Sequence, residues 1–240
     1  MLKIENLSKK FGKLQALKDL NIEIEKGSVY SLIGPNGSGK TTTIKIITGL
    51  VKPDSGDVYI NNRSIAKDPR NAKKYIGYVP DEPFVYGKLT GREILQFTAK
   101  LYKVKSRNIT NKINNLLEMY KLNDIADGLF DNYSRGNKQK IMILSALIHE
   151  PKLLIFDEPI VGLDTHSINT TKLIIRESKR KGVAILISTH TLPFAETISD
   201  KVGFLNNGIL VEEGTLRSLR TKTHDKQLEK MYLDTIKRKK

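Results

Sequence analysis

The stretch from residue 34 to residue 42 constrains this chain more than any other part of it. It fits the pattern Gly-x-x-x-x-Gly-Lys-Ser/Thr, in which backbone N–H groups turn inward around nucleotide phosphates. An apolar run, Val29 to Ile33, precedes it, and a helix-like run, Thr41 to Leu50, follows it. Strand, loop and helix are the context that this motif requires. The sequence therefore predicts that nine consecutive residues bind a nucleotide: Gly34, Pro35, Asn36, Gly37, Ser38, Gly39, Lys40, Thr41 and Thr42.

Each part of this loop has a chemical task. Glycines let the backbone curl around an anion without Cβ clashes, and the following helix points its positive end at the same anion. Lys40 supplies a full positive charge for the β- and γ-phosphates, and the Thr41 hydroxyl is a ligand for Mg²⁺. We therefore expect a nucleoside triphosphate with its metal.

A second motif supplies the other half of a hydrolytic site. Four apolar residues, Leu153 to Phe156, are followed by Asp157 and Glu158. A carboxylate at the C-terminal end of a buried parallel strand emerges where α/β sheets bind their ligands. We expect Asp157 to hold Mg²⁺, usually through water, and Glu158 to orient or deprotonate the attacking water.

Composition and charge limit the classes of protein to which this chain can belong. The 240 residues include no cysteine, which excludes a disulfide framework and suits a reducing cytosol, and no apolar run approaches the roughly 20 residues that span a bilayer. The formal net charge of +15 is compatible with nucleic-acid or anionic-lipid contact, or with a lysine-rich solvated surface. Because the charge is scattered, with runs only at residues 179–181 and 237–240, we favour the solvated surface and expect no specific nucleic acid.

The pattern along the chain indicates an α/β fold. Alternation in the first seven residues is typical of an edge strand, and the runs Leu153 to Asp157 and Val183 to Ser188 predict buried parallel strands. Helical periodicity from Thr90 to about Tyr120 predicts a helical subdomain, and Ser134 suits the N-cap of a further helix. Asn207-Gly208 predicts a hairpin turn.

The order of motifs resembles the nucleotide-binding domain of ATP-binding cassette (ABC) transporters, over essentially residues 1 to 220. Phe11 falls at the position of an aromatic that stacks on adenine, and Tyr78 to Asp81 at the Q-loop. Asp157 and Glu158 match the Walker B pair, Asp164 matches the D-loop, and His190 matches the switch histidine that contacts the γ-phosphate. The signature loop, which acts on the other copy's nucleotide, corresponds to Ser134, Arg135, Gly136 and Asn137.

Departures from the family pattern concern the Q-loop and the signature. Asp81 replaces the Q-loop glutamine; a carboxylate can still bind Mg²⁺, but it adds negative charge near the phosphates. Arg135 replaces the first signature glycine and Asn137 the glutamine, whereas Ser134 and Gly136 are retained. Such sequences resemble the branch of bacterial drug, antibiotic-resistance and sodium exporters, whose cassette is a chain separate from the membrane subunit.

The resemblance implies a P-loop NTPase core, a mainly parallel sheet flanked by helices, with an antiparallel β subdomain. It implies a cassette over 1–220, a helical subdomain at about 84–150 and a basic helical tail at 221–240. It further implies an ATPase, catalysed by Lys40, Glu158 and His190, that closes as a homodimer or heterodimer around ATP and drives an integral-membrane subunit. The cassette would then be cytoplasmic and peripheral on the inner face of the cell membrane. The membrane subunit would dock on the apolar residues Phe84, Val85, Tyr86 and Leu89.

Two other hypotheses stay open at this stage. A soluble ABC ATPase acting on nucleic acid or ribosomes fits the charge, although the chain has one cassette and no long heptad segment. Asp81 and Arg135 suggest a degenerate cassette that binds ATP without hydrolysing it. The intact Lys40, Asp157 and Glu158 argue against this hypothesis.

Overall fold

The computed structural model describes residues 1–83, 88–105, 107–223 and 228–238. The strands within these ranges are β1 Leu2–Phe11, β2 Leu14–Ile24, β3 Val29–Ile33, β4 Ser55–Ile60, β5 Arg63–Ser64, β6 Ile76–Val79, β7 Leu153–Asp157, β8 Ala184–Thr189, β9 Lys201–Asn206 and β10 Ile209–Thr215. The helices are α1 Lys40–Ile47, α2 Pro69–Lys73, α3 Gly91–Leu101, α4 Ile109–Glu118, α5 Arg135–Leu147, α6 Thr165–Arg180, α7 Leu192–Ile198, α8 Leu216–Thr223 and α9 Leu228–Arg238. The sequence did not predict β5, α2 or α7.

An antiparallel sheet contains the first strand, but not at its edge. The strand order is β2-β1-β4-β5, so β1 pairs on both sides, with Leu2 opposite Ile24 and Ile60. The expectation of an edge strand was therefore wrong. The alternation arises because Leu2, Ile4 and Leu7 face the core while the residues between them face solvent.

A six-stranded sheet positions the predicted site. Its order is β10-β9-β3-β8-β7-β6, with parallel pairing from β9 to β6. Strands β3, β7 and β8 are buried along their whole length, as expected for parallel strands covered on both faces. The predicted hairpin is confirmed: Asn207 and Gly208 have φ of 47° and 76° and join β9 to antiparallel β10.

The helical segment shares a core with this sheet. Ile94 and Leu95 of α3, together with Leu117 of α4, pack in the same cluster as Val79 and Phe156 of the sheet. A complete capping box starts α3, because the Thr90 hydroxyl accepts from the Glu93 N–H while the Glu93 carboxylate accepts from the Thr90 N–H. The helices α3 and α4 therefore share one hydrophobic core with the six-stranded sheet.

Helix α9 is anchored to the β9–β10 hairpin. Leu228 and Met231 of α9 are buried in one cluster with Phe204 and Val211. The Tyr232 ring meets the Phe204 ring edge-on, with centroids 5.4 Å apart. None of the helices in the part of the chain that the structure describes is long and apolar enough to cross a membrane.

The predicted docking segment is only partly covered by these residues. Phe84, Val85 and Tyr86 lie outside the described residues. Leu89 is half-buried and packs against the core that α3 shares with the sheet. Leu89 therefore has a packing role in this fold.

Candidate active site

The glycine-rich loop leaves β3 at Gly34 and enters α1 at Lys40. A Cβ on Gly34 would lie 2.3 Å from the Leu205 carbonyl oxygen, and one on Gly39 would lie 2.7 Å from the Ala16 carbonyl oxygen. Gly39 also has φ of 111°, outside the range of ordinary L-residues. The neighbouring backbone therefore requires glycine at both ends of this tight turn.

Lys40 is directed into the loop instead of toward solvent. Its side chain is buried, and its Nζ donates to the carbonyl oxygens of Gly34 and Pro35 at 2.7 and 3.1 Å. Burial lowers the pKa of Lys40, while the nearby carboxylates of Glu158, Asp157 and Asp81 act in the opposite direction. Lys40 is therefore a buried cation whose charge is available to pair with a phosphate group.

Two hydroxyl groups border this loop. Ser38 is buried, and its Oγ has no hydrogen-bond partner within the part of the chain that the structure describes. Thr41 is exposed at the start of α1. A buried donor without a partner is costly, so the Ser38 hydroxyl suits a ligand oxygen placed in the loop.

Strand register brings the other motifs to the same edge of the sheet. Ile33, the last residue before the loop, lies opposite Thr189 of β8, and Asp157 lies opposite Ser188. The C-terminal ends of neighbouring parallel strands thus carry the phosphate loop, the Asp157 and Glu158 pair, and His190. This is the edge at which α/β sheets bind ligands.

Asp157 is a buried carboxylate that suits a cation. Its Oδ1 accepts a 2.5 Å hydrogen bond from the Ser188 hydroxyl. Burial raises the pKa of Asp157, with Asp81 and Glu158 adding to the rise, whereas Ser188 and Lys40 oppose it. Within the described ranges, no three His, Asp or Glu side chains form a metal site by themselves. Asp157, Thr41 and Asp81 carry the oxygen donors that Mg²⁺ prefers, and Mg²⁺ usually takes further ligands from water and substrate phosphates.

Glu158 is held tightly at the start of a left-handed turn. Its φ is 48°, and its N–H donates to the Ser188 carbonyl oxygen at 2.9 Å. Its Oε1 accepts from the His190 N–H at 3.0 Å and contacts His190 Nδ1 at 2.8 Å, and its Oε2 accepts from the Thr189 hydroxyl at 3.0 Å. The bond to the carboxylate places the proton on Nδ1 and leaves Nε2 of the exposed His190 ring for another partner.

Two of the three departures from the family pattern, Asp81 and Arg135, lie close to each other. The Arg135 guanidinium lies 3.7 Å from the Asp81 carboxylate, and both side chains are about half exposed. Arg135 therefore offsets part of the negative charge that Asp81 brings toward Asp157. Tyr78 lies three residues before Asp81 and is half-buried, and this burial, together with the charges of Asp157 and Asp81, raises the pKa of Tyr78 to about 12.

The signature loop packs against the D-loop of its own chain. Ser134 caps α5 by accepting from the Asn137 N–H at 3.2 Å, and a Cβ on Gly136 would lie 2.6 Å from the Gly162 carbonyl oxygen. Asp164 caps α6, and two hydrogen bonds from Ser167 hold the pKa of Asp164 well below its usual range. Within the ranges that the structure covers, no hydrogen bond or ion pair joins this loop to residues 34–42.

Phe11 ends β1 and is exposed over 48% of its surface. The Lys9 ammonium lies 5.4 Å from its ring centroid. An aromatic face that is open to solvent beside a cation suits the stacking of a flat, electron-rich base.

The mainly parallel sheet, the glycine-rich loop after β3 and the carboxylates after β7 define a P-loop nucleoside triphosphatase. The family model for ABC transporters matches residues 17–161. The chain belongs to the ABC transporter family and is its ATP-binding, ATP-hydrolysing component.

Two relatives illustrate the similarity in sequence. The chain is 34% identical over 239 residues to the ABC-type transporter ATP-binding protein EcsA of Bacillus subtilis, covering 99% of this chain and 97% of EcsA. It is 33% identical over 213 residues to the SkfA peptide export ATP-binding protein SkfE of the same organism, covering 89% of this chain and 88% of SkfE.

Solved structures show the same fold. An ATP-binding subunit of an ABC transporter superposes with a TM-score of 0.94 at 34% identity, over 98% of this chain and 99% of that one. A dimeric, post-hydrolysis ATP-binding cassette bound to ADP and Pi superposes with a TM-score of 0.82 at 28% identity, over 90% of this chain and 99% of that one. The predicted fold class and the predicted ATPase are thereby confirmed.

Sequence reasoning missed the hydroxyl groups that hold the carboxylates. The predicted strand ended at Ser188 and Thr189 was given no role of its own, yet both hydroxyl groups donate to the carboxylates of Asp157 and Glu158. The signal was present in the Ser-Thr-His sequence at the end of β8, because a strand paired with the Asp-Glu strand can direct such hydroxyl groups toward those carboxylates.

Proposed function

We propose that this chain hydrolyses ATP with Glu158 as the residue that orients or activates water, Lys40 as the phosphate-binding cation and His190 as the γ-phosphate contact. Thr41, Asp157 and Asp81 would hold Mg²⁺, and Phe11 would stack on adenine. The observation that carries this proposal is that strand register brings the loop with Lys40 and the pair Asp157 and Glu158 to one edge of the sheet. ATP hydrolysis then needs positioning, charge neutralisation and an oriented water more than covalent chemistry.

We infer that two cassettes close head-to-tail around ATP. Among the residues that the structure describes, Arg135 of the signature loop lies beside Asp81 and Gly136 packs against Gly162, and no hydrogen bond or ion pair joins this loop to the phosphate loop, which supports a role toward the nucleotide of a second cassette. A relative of the same fold was captured as a dimer with ADP and Pi. The second cassette is either another copy of this chain or a related one.

We propose that the closure of the two cassettes around ATP drives export through a separate integral-membrane subunit. One relative is named as a peptide export ATP-binding protein, and another as a transporter ATP-binding protein. These names favour transport over the hypothesis of action on nucleic acid or ribosomes. Inverted membrane vesicles that contain the cassette and its membrane subunit should accumulate substrate only with ATP. Salt-resistant gel-shift binding to RNA or DNA, without such transport, would favour the alternative.

Dimer closure should be visible in a hydrolysis-deficient variant. With ATP and Mg²⁺, Glu158→Gln should move from monomer to dimer in size-exclusion chromatography, because bound ATP is then retained between the two cassettes. Adding Ser134→Arg should weaken the dimer without preventing ATP binding to the monomer. Ser134→Asp separates two effects, since aspartate keeps the α5 cap but repels a phosphate. A strict monomer at all concentrations of Glu158→Gln would exclude the homodimer.

A docking surface is proposed on α3. Phe97 and Leu101 lie one turn apart on this helix and are exposed over 46% and 66% of their surfaces. Leu101→Arg should abolish co-purification with the membrane subunit while the ATPase activity of the isolated chain is kept. Leu173→Arg on α6, where Leu173 is 58% exposed, is the matched control and should still co-purify. Equal retention of both variants would remove α3 from the interface.

A further inference from the structure

The hydroxyl groups of two neighbouring residues in β8 form hydrogen bonds to the two neighbouring carboxylates at the end of β7. Ser188 donates to Asp157 Oδ1, and Thr189 donates to Glu158 Oε2. The pairing follows from register, because Asp157 lies opposite Ser188 in the parallel pair of strands. Both hydroxyl residues are completely buried.

The Thr189 hydroxyl has a fixed direction. Its Oγ1 accepts from the Thr191 N–H at 3.0 Å, and its own proton points at Glu158 Oε2, since a carboxylate can only accept. The Thr189 hydroxyl therefore connects the backbone N–H of Thr191 to Oε2 of Glu158. The terminal side-chain torsion of a glutamate has broad energy minima. Without a hydrogen bond of this kind, the plane of the Glu158 carboxylate would not be fixed to the same degree.

The two oxygens of Glu158 are not equivalent. Oε1 faces two donors, the His190 N–H and Nδ1–H, and is therefore saturated. Oε2 receives the Thr189 hydroxyl and keeps one acceptor position. Glu158 also stands in a left-handed backbone conformation with φ of 48°, which a non-glycine residue adopts only when its surroundings hold it there.

We propose that Thr189 is a positioning residue for ATP hydrolysis: its hydroxyl fixes the plane of the Glu158 carboxylate so that the open position of Oε2 receives the attacking water. Thr189 is buried, so it acts through Glu158 and not on the nucleotide. This inference rests on the proposed role of Glu158.

The test is a comparison of Thr189→Val with Thr189→Ser in steady-state ATP hydrolysis. Valine keeps the shape and the strand preference of threonine but removes the hydroxyl, so kcat should fall by about 10-fold, the scale on which a misplaced catalytic group acts, while KM for ATP stays within about twofold. Serine keeps the donor and should restore kcat to within about twofold.

The matched control is Thr171→Val on α6. Thr171 is equally buried and its hydroxyl also forms a side-chain hydrogen bond, to Tyr120 at 2.7 Å. We expect this variant to lower the thermal midpoint without changing kcat. Should Thr189→Val fail to fold, Thr189→Cys, with a much weaker donor, is compared with Thr189→Ser instead.

Three results would overturn the proposal: unchanged kcat in folded Thr189→Val, an equal loss of kcat in Thr171→Val, or a rise in KM with kcat preserved. Glu158→Gln separates this failure from a failure of the proposed site. If Glu158→Gln is inactive while Thr189→Val is fully active, only the role of Thr189 is lost. If Glu158→Gln is itself active, both assignments are lost.

Discussion

Replacing Glu158 with glutamine should reduce ATP turnover by about 10²-fold or more while ATP still binds. Glutamine has nearly the same shape and can still accept from the Thr189 hydroxyl or the His190 N–H, so the surrounding hydrogen bonds are largely retained. What is lost is the negative charge that orients or deprotonates water. Steady-state phosphate release and equilibrium ATP binding, measured on the same preparation, check both halves of this expectation.

A second glutamate of the chain provides the control for this charge change. Glu177 lies on α6, is exposed and forms an ion pair with Arg180. Glu177→Gln alters net charge equally and should leave hydrolysis unchanged, because exposed ion pairs contribute little. Near-normal hydrolysis by Glu158→Gln would remove Glu158 from the proposed role and direct attention to His190 or to the phosphates themselves as the groups that position water.

Sequence motifs predicted the parts of the site that lie on single strand ends. The loop from Gly34 to Thr42, the pair Asp157 and Glu158, and His190 each follow an apolar run, so their position at one sheet edge follows from parallel pairing alone. Their roles stay predictions until tested. The structure adds that the carboxylates of Glu158, Asp157 and Asp81 all act on the pKa of Lys40.

Contacts between segments far apart in sequence could not be predicted in this way. Asp81 and Arg135 were treated as separate departures, yet they lie 3.7 Å apart because α5 packs against β6. The Ser-Thr-His sequence shows that hydroxyl donors end β8, but only the pairing of β8 with β7 shows that the Thr189 hydroxyl reaches Glu158.

The edge-strand error has a similar origin. Alternation reports that one face of β1 is exposed, but it carries no information on how many neighbours the strand has. Its second neighbour, β4, is more than 40 residues away along the chain.

Replacing Lys40 with alanine should raise the Kd for ATP by about 10- to 100-fold, since charge-assisted hydrogen bonds contribute about 1.5–3 kcal/mol each. The side chain is buried within the loop and donates to the carbonyl oxygens of Gly34 and Pro35, so it is already positioned where phosphates are expected. Its loss also removes a positive charge that interacts with the carboxylates of Glu158, Asp157 and Asp81, which increases the repulsion that an incoming triphosphate meets. Titration with a fluorescent ATP analogue measures the change directly.

Lys45 on the same helix is the matched control for this loss of charge. It lies in the last turn of α1 and is exposed, so Lys45→Ala removes one positive charge without changing the loop. We expect its ATP affinity to stay close to that of the parent chain at physiological salt, where exposed charges are screened beyond about 8 Å. Equal affinity of Lys40→Ala and the parent chain would mean that backbone N–H groups and the α1 terminus hold the phosphates alone. Lys40 would then serve hydrolysis without serving binding.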